Sequence, residues 1–128
     1  MGEPVEKVDL ARTPEPPYYA VIFVSVRTKS DDAGYAEAAG RMARLASEQP
    51  GYLGVDSVRG VDAVGITVSY WSSEEAIAAW RRNAEHTITR EHGRKNWYAE
   101  YELRVAKVER AYGFKRGPDK ARASISAG

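Results

Sequence analysis

Cysteine is absent from the 128 residues, so disulfides, thiolate metal sites and cysteine nucleophiles are excluded. Such usage fits a cytoplasmic protein, which is the expected location. An excess of one charge is missing too. Nineteen Lys and Arg stand against 18 Asp and Glu, a net charge of +1, so nothing steers the chain to nucleic acid or an anionic membrane. No stretch approaches the roughly 20 apolar residues of a membrane span. The start, "MGEPVEKVDLARTPEPP", lacks the apolar core of a signal peptide. Internal repeats, a Ser-His-Asp pattern, a phosphate loop and a dinucleotide fingerprint are not found. The glycines of "RGVDAVG" fall in a hairpin link rather than between a strand and a helix. Histidine occurs only twice, as His86 and His92, which leaves little for a metal site built on convergent ligands.

What is present suits one globular domain: 43% apolar and 29% charged residues in a length too short for two cores. Four of the six prolines lie in residues 1–17, which are expected to form a flexible arm. Residues 115–128 are expected to form a similar tail, leaving 18–114 as the folded domain. "YYAVIFVSVRT" (18–28) is β-branched and aromatic and predicts a strand apolar on both faces. "DDAGYAEAAGRMARLASEQ" (31–49) opens on capping aspartates, and Tyr35, Ala38, Ala39, Met42, Leu45 and Ala46 recur at helical spacing. "GYLGVDSVRG" (51–60) and "AVGITVSYW" (63–71) read as strands of an antiparallel hairpin. Ser72 and Glu75 suggest a capping box for a second helix, anchored by Ala76, Ile77, Trp80 and Ala84. That helix is expected to break near "NAEH", resume to about His92 and stop at Gly93.

The last run, "WYAEYELRVAKVERAYGF" (97–114), places Tyr101, Leu103 and Val105 on one face. Val108, Tyr112 and Phe114 then take the opposite parity, which predicts a bulge or bend near Ala106–Lys107. The order strand, helix, strand, strand, helix, strand is that of an α+β, ferredoxin-like β-α-β-β-α-β domain with a four-stranded antiparallel sheet. Helices cover one face. Apolar residues on both sides of the first and last strands call for cover on the other, and face-to-face pairing with a second copy supplies it, so a homodimer is expected.

"QPGYLGVDSVR", "GITVSYWSSEEAIAAW" and the closing "ELRVAKVERAYGF" resemble the antibiotic biosynthesis monooxygenase family over about 18–114. The most specific piece is Trp-Ser-x-Glu-x-Ala-x-x-x-Trp, from Trp71 to Trp80. The resemblance implies a dimeric α+β barrel and, among its activities, cofactor-independent oxygenation of small electron-rich aromatics or quinols by dioxygen. The wider superfamily also holds heme-degrading oxygenases, small decarboxylating or isomerising enzymes and members without known activity. Anthrone-oxidising members are similar at Trp71. They carry asparagine four residues before it and tyrosine six after, where this chain has Thr67 and Ile77. Heme-degrading members are similar at Trp80 and place their histidine ligand ten residues on, where this chain has Arg90. His86 lies one helical turn earlier. Strand 1 lacks the asparagine of the heme constellation; Ser25 is its nearest small polar residue.

These residues define the expected site, each with a plainer reading beside it. Trp71 and Trp80 either pack the core or wall a substrate pocket with Thr67 and Ile77. His86 is a surface or capping histidine, or a general base. On an unbroken helix it lies about 120° from the Ile77–Trp80–Ala84 face. Asn83 and Arg90 share a helical face and form a solvated flank, or orient an oxygenated aromatic and stabilise its anion. No cofactor is expected in the leading reading. Heme, with His86 or His92 as ligand, is one alternative, and a non-catalytic dimeric small-molecule-binding or stress-response protein is the other.

Overall fold

The computed structural model describes residues 9–90 and 97–117, without the side chains of 85–90. The elements run β1 (Tyr18–Arg27), α1 (Asp32–Ser47), β2 (Tyr52–Arg59), β3 (Val64–Trp71), α2 (Glu74–Arg90) and β4 (Tyr98–Val108). This is the expected α+β, ferredoxin-like order. All pairings are antiparallel and the sheet order is β2-β3-β1-β4, so the apolar β1 lies inside and β2 and β4 form the edges.

Register assigns the faces. Val21 lies opposite Ser69 and Val105, and Phe23 opposite Thr67 and Leu103, so the odd-numbered positions of β1, β3 and most of β4 share the helix-bearing face. At one end of that face Val21, Ala46, Trp71 and Ile77 form the buried core, with Tyr19, Tyr52, Ala76 and Trp80 packed around them. Gly51, at φ 89°, lets β2 begin against α2: a Cβ there would meet the Ala76 Cβ at 2.6 Å.

Four expectations change in detail. The second helix is capped by Ser73, the residue just before its start at Glu74, whose Oγ accepts the Ala76 N–H at 3.0 Å; the Ser72 N–H is given to the Gly51 carbonyl. That helix is unbroken at "NAEH". Asn83 sends its amide to Gln49 Oε1 at 3.2 Å instead of competing for the helix backbone. The expected stop at Gly93 lies outside the described residues. The final strand ends at Val108, since β1 begins opposite it at Tyr18 and offers nothing further to pair with. Its irregularity sits at the other end, where Val26 faces Glu100 and Arg27 faces Tyr98. Finally, the middle of β4 is apolar on its helix side only. Opposite Val26, Val24 and Ile22 it presents Glu100, Glu102 and Arg104 on the helix-free side.

The helix-free face is otherwise apolar along β1 and β3: Ile22, Val24 and Val26 beside Val64, Ile66 and Val68. Residues 9–17 cross its β2 side. The Ala11 N–H donates to Asp56 Oδ1 at 2.8 Å and the Thr13 hydroxyl bonds Tyr18 Oη at 2.9 Å. Asp56 Oδ2 also accepts from Tyr70 Oη at 2.9 Å. Burial first, then that hydrogen bond and the carboxylate charge, push the Tyr70 phenol up to about 12. A groove of about 320 Å³ opens there between Leu10 and Val58, Ile66 and Val68. Among the described residues no helix is long and apolar enough to cross a membrane.

Candidate active site

Trp71 closes β3 with 0% exposure, because its position places it under both helices. Its indole stacks on that of Trp80, with centroids 6.1 Å apart and planes at 20°, and Tyr52 meets it edge-on at 5.5 Å. Its Nε1–H donates to Ser69 Oγ at 2.8 Å, which satisfies the buried donor. Trp71 and Ile77 are therefore enclosed by protein, while Trp80 is half-buried and carries the stack towards the surface.

Beyond this stack the described residues leave the helix-bearing face incompletely covered. Leu103 and Val105 of β4 point to the helix side yet are 47% and 54% exposed. With half-buried Phe23, Thr67 and Tyr101 they form an apolar trough floor. Thr67 shares a hydrogen bond of 2.9 Å with Ser57, its neighbour on β2. Asn83 is exposed and tied to Gln49 at the end of α1. The side chains of His86 and Arg90 lie outside the described residues; their backbone belongs to the continuous α2.

The other end of the trough is polar, and sequence reading did not single it out. Arg27, at the inward parity of β1, is 8% exposed. It donates to the Trp97 carbonyl and to Asp32 Oδ1, both at 2.7 Å. Its guanidinium lies 3.9 Å from the centre of the Tyr35 ring. Arg59, at the inward parity of β2, reaches the same ring from the other strand. It donates to Tyr35 Oη at 3.0 Å, Ser25 Oγ at 3.4 Å and the Ala63 carbonyl at 2.9 Å. Ser25 is 1% exposed. Tyr98 packs edge-on against Tyr35 and Phe23. Burial and its hydrogen bond with Tyr35 hold its phenol well above the usual range, so Tyr98 stays neutral at physiological pH. The signal available in the sequence was parity: an arginine two residues after Ser25, and another two after Ser57, cannot avoid the helix-bearing face of a strand.

Chemically, the trough offers a flat aromatic wall, a largely apolar floor with the hydroxyls of Thr67 and Tyr101, and a cationic, phenol-lined end. That suits a small planar molecule with an oxygen at one edge.

Comparison with known proteins follows the same lines. Residues 17–91, more than half of the chain, match the antibiotic biosynthesis monooxygenase family model. The Bacillus subtilis protein YqjZ, itself uncharacterised, is 58% identical over 101 residues, covering 79% of this chain and 88% of that one. The structure is similar to that of SnoaB, a cofactor-independent oxygenase from Streptomyces nogalater, with a TM-score of 0.60 and 12% identity over 75% of this chain and 97% of SnoaB. It is also similar to PA3566 from Pseudomonas aeruginosa, with a TM-score of 0.58 and 11% identity over 77% of this chain and 98% of that one. At such identities the structural likeness concerns the fold.

Proposed function

Because the chain belongs to the antibiotic biosynthesis monooxygenase family, we propose that it is a cofactor-independent monooxygenase of a small electron-rich aromatic or quinol. The observation that carries this reading is the open apolar trough beside the Trp71–Trp80 stack, which is a place for a planar substrate to lie. Trp80 walls it, Trp71 and Ile77 back that wall, and Thr67 lies in its floor. His86 serves as general base through a bridging water, since the unbroken helix sets its position about 120° from the Ile77–Trp80–Ala84 face, and Asn83 and Arg90 orient the substrate and its anion.

In this scheme a C–H made acidic by the aromatic system loses its proton to the base. The carbanion passes one electron to dioxygen, and the radical pair joins as a peroxide. The peroxide takes up a proton and loses water to leave a carbonyl. One oxygen atom ends in the product and one in water. The protein contributes deprotonation, desolvation and anion stabilisation. SnoaB, described as a cofactor-independent oxygenase, supports the omission of a cofactor. The test is oxygen uptake with anthrone and simple quinols, with the carbonyl product identified. Uptake is expected for the wild type and a loss of at least about a hundredfold for His86→Ala. Full turnover by His86→Ala would remove the base assignment, and no uptake across the panel would remove the activity.

A homodimer completes the proposal. Paired over their helix-free faces, two copies cover the Ile22, Val24, Ile66 and Val68 strip that one copy leaves to solvent. Light scattering should give twice the chain mass for the wild type and the monomer mass for Ile66→Asp.

A further inference from the structure

Two arginines converge on one tyrosine at the polar end of the trough, and their situations differ. Arg27 is buried and neutralised: Asp32 lies 2.7 Å from its guanidinium. Arg59 is exposed, and among the described residues no carboxylate stands within ion-pair distance of it. Its three partners, Tyr35 Oη, Ser25 Oγ and the Ala63 carbonyl, are all neutral acceptors. They hold the group still without cancelling its charge.

The sheet is also shaped for it. Arg59 starts on the edge strand, yet its guanidinium reaches Ser25, two strands inward. It does so by lying across Gly65, where a Cβ would meet the guanidinium carbon and one nitrogen at 2.6 Å. Any larger residue at 65 would block that lane. A structural tie between hairpin and helix needs neither the missing side chain nor the reach to the sheet centre. Beside Ser25 in register lies Tyr101, and one step along β1 lies Phe23. The fixed cation thus meets the end of the aromatic floor.

The geometry points to Arg59 as the residue of the trough that binds the charge a substrate already carries, apart from the anion made by deprotonation and assigned to Arg90, so that the trough takes planar aromatic acids: molecules with a carboxylate or phenolate oxygen on Arg59 and the ring along Phe23, Leu103 and Val105 towards Trp80. This deepens the proposed function, on whose trough it rests, by naming the charge and orientation of the substrate. A charge-assisted, positioned arginine contact discriminates an anion from its neutral isostere by roughly tenfold or more.

The experiment uses the full chain and two probes of similar shape, 1-naphthoate and 1-naphthalenemethanol, titrated by calorimetry. The wild type should bind the anion at least about tenfold more tightly than the alcohol, with the preference shrinking as salt rises. Arg59→Gln should bring the anion to the affinity of the alcohol and leave the alcohol unchanged, while Arg59→Lys retains part of the preference. Unchanged naphthoate affinity in Arg59→Gln, or no preference in the wild type, overturns the Arg59 assignment and leaves the trough standing. If neither probe binds, both the assignment and the trough reading fall.

Discussion

Replacing Trp71 with alanine tests whether this indole is core or pocket lining. The side chain has no exposure, stacks on Trp80, meets Tyr52 edge-on and packs with Val21, Ala46 and Ile77. Removing it costs the transfer energy of the ring plus the cavity left among neighbours that are themselves rings or backbone-anchored. For a buried tryptophan that is about 3–5 kcal/mol. A domain of this size loses about 4–8 °C in Tm per kcal/mol, so melting should fall by at least about 12 °C. Trp80 is half-buried, and Trp80→Ala should cost about half as much. The double variant should fall short of the sum by about 0.5–1.5 kcal/mol, the worth of the stacked pair. Urea unfolding followed by circular dichroism measures all three. A cost below about 1 kcal/mol for Trp71→Ala, or one no greater than that of Trp80→Ala, would refute the packing argument. It would mean that the indole borders space rather than side chains.

Gly51→Ala should destabilise by about 1–3 kcal/mol in the same assay, since the position has a φ of 89° and its Cβ would collide with Ala76. Alkali should weaken the fold in a defined window. The Tyr70 phenol is raised from 10.0 to about 12 in the folded protein, so folding holds its proton more tightly. That contribution is complete below pH 10 and is lost as pH rises towards 12. Tyr70→Phe should make the stability profile shallower across this interval, the remaining slope coming from the raised phenols of Tyr98 and Tyr52, and an unchanged slope would contradict the assignment. Hemin should raise no saturable Soret band, because the sequence pattern implied for heme-degrading members would place their ligand where this chain has Arg90. A band abolished by His86→Ala would reverse that expectation.

Element order and type were legible because the signals were long and mutually consistent. The β-branched run of β1, the capped alanine-rich α1 and the short hairpin link each had one sensible reading, and together they selected the topology. The details that shifted were set by partners distant in the chain. The Gly51 carbonyl holds the Ser72 N–H where β3 ends, which leaves Ser73 next to the helix start as its cap, and β4 stops at Val108 because β1 has no residue left to pair with it. The Trp71–Trp80 pair was readable from its motif, and the structure supplied the stacking. The arginine end of the site was not read, because strand parity alone does not say which of two strands' arginines meet. It took the β2-β3-β1 order and the missing side chain at Gly65 to bring Arg59 and Arg27 to one ring.

The segment before β1 also acts as a kerb. By tying Ala11 to Asp56 it occupies the β2 side of the helix-free face, and Glu100, Glu102 and Arg104 fringe the β4 side with charge. The apolar ground between is a lane running lengthwise over β1 and β3. Anything that settles on it is aligned with the strands, because crossing them means climbing over the arm or desolvating the charged edge. The same arm that looks like an appendage in the sequence thus restricts the angles at which two such sheets can meet. A tag or fusion that pulls residues 9–13 away would remove that restriction and loosen orientation before it loosened the fold.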